Sequence, residues 1–126
     1  MAHLAHKDLC EGNLNTFKGM VKAGDRGSML FAANFLAVIK NADPEDIEAI
    51  IKSPYYDASE AAIMFCKGQK LINEEVVNRW MDSRSSSLRR AAVMAMSGWD
   101  VVPEDLKYRA VENGYESVRI LAMAEL

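Results

Sequence analysis

Two stretches thirty residues apart, Ala58-Ser59-Glu60-Ala61-Ala62-Ile63-Met64-Phe65-Cys66-Lys67-Gly68 and Leu88-Arg89-Arg90-Ala91-Ala92-Val93-Met94-Ala95-Met96-Ser97-Gly98, run through small and apolar residues in the same order. The same shift brings in Ser28 to Val38 on one side and Val118 to Leu126 on the other. One column then reads Ala32, Ala62, Ala92, Ala122. The column before it reads Phe31, Ala61, Ala91, Leu121, and the one after it Ala33, Ile63, Val93, Met123. This is an apolar core position on a seam of small residues, which lets helices approach closely. Self-similarity at such a period is the mark of a repeat architecture.

Between these stretches a second element recurs. It starts at Asp43-Pro44-Glu45-Asp46-Ile47, at Asn73-Glu74-Glu75-Val76-Val77 and at Val102-Pro103-Glu104-Asp105-Leu106, with spacings of 29 and 30 that allow a one-residue slip. Each is a helix start: Asp or Asn accepts a first-turn amide, Pro fits the first turn, and the acids oppose the positive end of the dipole. Val102 is a poor cap, so Asp100 is expected to serve there. Apolar residues follow at helical period, as Ile47, Ile50, Ile51, then Val76, Val77, Trp80, Met81, then Leu106, Ala110, Val111. Breakers fall at Gly24-Asp25-Arg26-Gly27, Ser53-Pro54, Ser83 to Ser87 and Asn113-Gly114, while Gly68 and Gly98 close the preceding helices. The first stretch fits more loosely, with Ala2 to Glu11 and Leu14 to Ala23 as helices around a break at Gly12-Asn13.

The reading is one all-α domain, a right-handed α-solenoid of about four helical hairpins. Its approximate units are 1–26, 27–56, 57–86 and 87–116, with a C-terminal helix over 117–126. Leu88-Arg89-Arg90-Ala91-Ala92 and Val118-Arg119-Ile120-Leu121-Ala122 resemble the signature of the shorter HEAT-like repeats. Phe65-Cys66-Lys67-Gly68 and Met96-Ser97-Gly98, the latter followed by Val102-Pro103-Glu104-Asp105-Leu106, are similar to arrays in bacterial and phage repeat proteins. The resemblance covers roughly 28–126 and implies a macromolecule-binding scaffold. HEAT-like hydroxylases of a modified lysine use paired His-Glu motifs, which this sequence lacks, so that activity is not carried over. An ankyrin-like array is the alternative, because Gly12-Asn13-Leu14 and Ala23-Gly24-Asp25 look like one ankyrin helix pair and its loop. No T-P-L-H segment supports it.

Composition sets the function classes. The 126 residues are 50% hydrophobic and 26% charged, the balance of a globular domain. The formal charge is −3, with 6 basic against 9 acidic residues in 1–60 and 9 against 9 in 61–126. Neither half has the basic excess that tracking a phosphate backbone demands. No apolar run approaches the ~20 residues of a membrane span, and the first residues lack a signal-peptide pattern, so a cytoplasmic location is expected. Cys10 and Cys66 have no framework spacing and are expected as buried thiols.

No phosphate loop, nucleophile elbow or Cys-His arrangement occurs. His3 and His6 have helical spacing but sit at a terminus without a supporting shell, so no metal, cofactor or enzymatic activity is expected. Ser83 to Ser87 read as a turn, because no histidine in the repeats can activate them. Met64, Met94, Met96 and Met123 read as core filling. The candidate binding residues are Arg79 and Arg109, which share one column, with Tyr108 and the turn aromatics Tyr55, Tyr56 and Trp99. Tyr115 is a further turn aromatic. Aromatics in turns are staples or anchors, and Tyr, Trp and Arg dominate interfaces. Asp82 and Glu112 lie one turn after the two arginines and are expected to pair with them.

The leading expectation is therefore a non-enzymatic protein-protein interaction module working through its inner helix face, as an assembly adaptor or a phage-encoded inhibitor of a host defence complex. The alternative is nucleic-acid binding through Arg79, Arg109, Arg84, Arg89 and Arg90.

Overall fold

The computed structural model describes the backbone of residues 2–126 and side chains from residue 12 onward. The readings made for the side chains of His3, His6 and Cys10 lie outside the described residues. Among the described residues there are eight helices and no strand: α1 (Ala2–Ala23), α2 (Arg26–Phe35), α3 (Pro44–Ile51), α4 (Tyr56–Met64), α5 (Glu74–Met81), α6 (Ser86–Ser97), α7 (Glu104–Val111) and α8 (Glu116–Glu125). The even-numbered helices start at 26, 56, 86 and 116, and α3, α5 and α7 at 44, 74 and 104.

Local chemistry accounts for these starts. Asp25 is extended at the cap of α2 and accepts the Ser28 amide at 3.1 Å and the Ser28 hydroxyl at 2.6 Å. Those two bonds, the hydroxyl first, hold its carboxyl below the ordinary aspartate range. Ser85 does the same for the Leu88 amide at α6, and Asp43 and Asn73 cap α3 and α5 through the amides of Glu45 and Val76. Pro44 occupies the first turn of α3, where its missing N–H is not needed.

Three local expectations are corrected. The cap of α7 is Pro103, without a side-chain bond, so Asp100 does not cap it. The caps 43, 73 and 103 are evenly spaced and the one-residue slip is absent, because the two prolines occupy successive positions at their helix starts instead of equivalent ones. Gly12-Asn13 does not interrupt α1. A glycine inside a helix costs only about 1 kcal/mol, which tertiary contacts override, and Phe17 on this helix is fully buried.

The helices pack in chain order. α2 packs on α4, α4 on α6 and α6 on α8, while α3, α5 and α7 pack against α4, α6 and α8 respectively, and α1 lies against α2 and α3. Ala32, Ala62, Ala92 and Ala122 are fully buried, as the sequence predicts, and so are Ile50 and Ala110, with Trp80 at 1% exposure. Side chains this small let helix axes come within the short end of the usual 8–10 Å. The backbones nearly touch at the helix ends: a Cβ on Gly98 would stand 2.9 Å from the Gly68 amide nitrogen. Gly68 itself takes φ +85° to turn the chain out of α4, a conformation that favours glycine.

The neighbouring columns hold less well. Phe31 is exposed, because a ring does not fit where α4 and α6 carry alanine, and it turns outward onto Phe35 with ring centroids 5.9 Å apart. Met123 is exposed because, among the described residues, no helix follows α8 to cover it. Met64 is exposed in the column of Asn34, whereas Met94 and Met96 are buried as expected. Cys66 is a buried free thiol that donates to the Ala62 carbonyl at 3.3 Å, and burial pushes its pKa up.

Two stability predictions follow from this packing. Ala92→Leu overpacks the closest helix approach and should cost about 1–3 kcal/mol in denaturant unfolding, and an unchanged midpoint would mean the seam is looser than described. Trp80→Ala should cost about 3–5 kcal/mol, and Trp80→Phe clearly less, since the indole nitrogen has no hydrogen-bond partner to lose.

Candidate functional site

Arg79 and Asn78 stand on α5, and Tyr108 and Arg109 on α7, at positions thirty residues apart. The Arg109 guanidinium donates to Asp82 Oδ1 at 2.6 Å and to Asn78 Oδ1 at 3.0 Å, both on the preceding odd-numbered helix or its cap. The carboxylate nearest Arg79 is Glu48 of α3, at 3.9 Å, and Glu48 also takes Lys52 at 3.1 Å. The expected pairing of each arginine with the acid one turn later in its own helix is thus replaced by pairing across helices.

Beside this ladder lies an open groove of about 400 Å³ lined by Met81, Asp82, Arg89, Tyr108, Arg109 and Glu112, with Asn113 and Gly114 at its end. Two of its lining residues, Arg89 and Asn113, belong to a polar knot. Arg89 donates to the Ser83 carbonyl at 2.7 Å and to Asn113 Oδ1 at 3.2 Å, and its guanidinium lies 4.8 Å from the centre of the Tyr115 ring. Asn113 is buried, and its side-chain oxygen also receives the Tyr115 amide. Arg119 donates to the Asn113 carbonyl at 2.7 Å, and the Tyr115 hydroxyl donates to the Arg84 carbonyl at 2.7 Å. Two turns thirty residues apart are therefore tied together, and Tyr108, 66% exposed, lines the same groove.

The sequence-derived candidates are divided by the fold. Arg109 and Tyr108 share the groove, and Arg79 sits one helix away on the same ladder. Tyr55 caps α4 and packs on the core, Trp99 packs on the core just beyond α6, and Tyr115 is a staple. Tyr56 opens α4 and is 78% exposed, but it does not line the groove. Of the arginines considered for phosphate contact, Arg89 is consumed by the knot. Arg90 binds Glu60 through both nitrogens, a contact that raises its pKa further. The knot was hidden in the sequence because it joins two turns to the helices α6 and α8 that follow them, and Asn113-Gly114 alone reads only as a breaker. Among the described residues no group of three or more His, Cys, Asp or Glu is placed to hold a metal ion, and no helix is long and apolar enough to cross a membrane.

Compared with models of protein families, with curated proteins and with solved structures, the chain matches none.

The two kinds of arginine should separate in a stability measurement. Arg89→Ala removes two charge-assisted hydrogen bonds, to the Ser83 carbonyl and to Asn113 Oδ1, and should cost about 1.5–3 kcal/mol, whereas Arg79→Ala, an exposed ion-pair member, should stay within about 0.5 kcal/mol. Equal effects in thermal unfolding would remove the knot as the element that fixes the groove.

Proposed function

We propose that the chain is a right-handed, HEAT-like α-solenoid of about four hairpins that acts as a non-enzymatic protein-binding module, with the groove between α5 and α7 as its docking face. The even spacing of helix starts at thirty residues supports the repeat reading. The connections 52–55, 82–85 and 112–115 have four residues each, and in the longer ones, 36–43, 65–73 and 98–103, no strand occurs among the described residues to form the projecting hairpin of an ankyrin array. The observation that carries the functional reading is Tyr108: a large aromatic, two-thirds exposed, lining a groove together with the hydrogen-bonded pair Arg89 and Asn113. An aromatic presented on a preorganised surface loses little entropy on docking, and such residues anchor protein interfaces. The groove's charges, Arg89 and Arg109 against Asp82 and Glu112, balance, which suits a protein segment better than a phosphate backbone. Assembly adaptor and inhibitor of a host defence complex are the roles this reading fits.

The test is affinity capture from native lysate with mass-spectrometric identification, repeated with Tyr108→Ala and with Arg79→Glu plus Arg109→Glu. Truncating Tyr108 should cost the captured complex about 2 kcal/mol or more, roughly 30-fold in Kd, while the arginine reversals should change chiefly association rate and salt response. Capture that survives every substitution would move the interface elsewhere. Tight, salt-sensitive binding to duplex DNA or RNA would replace the reading with nucleic-acid recognition.

A further inference from the structure

A second surface lies on helices other than those of the groove. Phe31, Phe35, Asn34 and Val38 line an apolar depression of about 340 Å³ along α2 and the turn after it. Val38 also lines the adjoining depression of about 350 Å³, where Lys40, Lys70, Ile39 and Asn41 meet Asn13 of α1. The two are therefore one continuous surface, apolar at one end and cationic at the other. Phe31 is 57% exposed and Val38 71%.

The cationic end is built and not incidental. The Lys70 amide donates to the Lys40 carbonyl at 2.8 Å, which fixes the two lysine backbones side by side. Next to them, buried Gln69 donates to the carbonyls of Leu36 at 3.1 Å and Ile39 at 2.6 Å, tying the same turn down. Two carboxylates that follow Lys40 in the chain, Asp43 and Asp46, are taken by Lys18 of α1, at 3.6 and 2.7 Å, and the Asp46 bond foremost raises the Lys18 pKa. Lys40 and Lys70 have no ion-pair partner among the described residues. In a chain of net charge −3, two lysines on hydrogen-bonded backbones beside exposed rings, without an ion-pair partner among the described residues, are a local exception.

We infer that this surface docks a segment of a protein partner that sets a large apolar side chain against Phe31, Phe35 and Val38 and one or two carboxylates at Lys40 and Lys70. Charge complementarity selects the occupant: bringing carboxylates to the paired lysines removes their mutual repulsion, and the apolar side chain covers the rings. A basic segment would add to the repulsion, and a purely apolar one would leave the lysines unpaired. The surface does not rest on the reading of the α5–α7 groove.

The test is selection of short random peptides displayed on phage against the intact protein, followed by fluorescence anisotropy with the enriched peptides. The expected peptides combine an aromatic or long aliphatic residue with Asp or Glu, and their binding weakens as salt rises. Lys40→Glu with Lys70→Glu, and separately Val38→Asp, should weaken it at least tenfold, with Lys40→Met plus Lys70→Met as the neutral control should the reversal disturb folding by circular dichroism. The reversed protein should bind the same peptides once their acids are replaced by lysine, while Tyr108→Ala leaves binding unchanged. Absence of enriched acidic-apolar peptides, or binding that survives loss of both lysines, overturns the proposal. So does a protein that ignores the peptides but binds vesicles of equal parts phosphatidylcholine and phosphatidylserine, which would make the surface a membrane contact.

Discussion

The close approach of the even-numbered helices is the constraint on which the rest depends. Alanine at 32, 62, 92 and 122, each fully buried, and glycine at 98 against the Gly68 backbone hold α2, α4, α6 and α8 in one tight row. Against these helices α3, α5 and α7 pack in turn, on α4, α6 and α8. Arg109 then reaches Asp82 and Asn78, and Arg90 reaches Glu60, because the same register places each side chain beside the residue about thirty positions earlier. The charged ladder is thus a consequence of the seam, and single exposed pairs within it contribute little stability.

Rigid parts and presented parts are separated along this frame. Polar groups that are buried, such as Asn113 and Gln69, bind turn backbones and fix one hairpin edge to the next. The side chains left outside, Tyr108 over the groove and Phe31 with Val38 over α2, stand on backbone that those contacts hold still. Binding surfaces on fixed elements lose less entropy when a partner docks than surfaces on loose loops.

Much of this order was legible in the sequence, for physical reasons that differ by residue. The alanine column and Trp80 were readable because burial follows helical period, and that period is a property of the backbone. Asp25, Asp43 and Asn73 sit in turn or start motifs whose chemistry is local. Phe31 and Met123 were misjudged because their burial depends on what lies across from them: alanine-sized space in one case, an uncovered helix face in the other. The α7 start was misplaced because Pro44 and Pro103 look equivalent as letters yet occupy different cap positions. The pairing partners of Arg79 and Arg109, and the Arg89–Asn113 knot, were out of reach, since both are set by the distance between helices and neither by spacing along the chain.

Among the described residues no hydrogen bond joins positions more than 33 apart, the longest being Gln69 to the Leu36 carbonyl. Every hydrogen-bonded closure is therefore short, and the entropy spent on each such loop stays small. Loss of one such bond leaves the others along the chain in place, because each is closed by its own neighbouring segments.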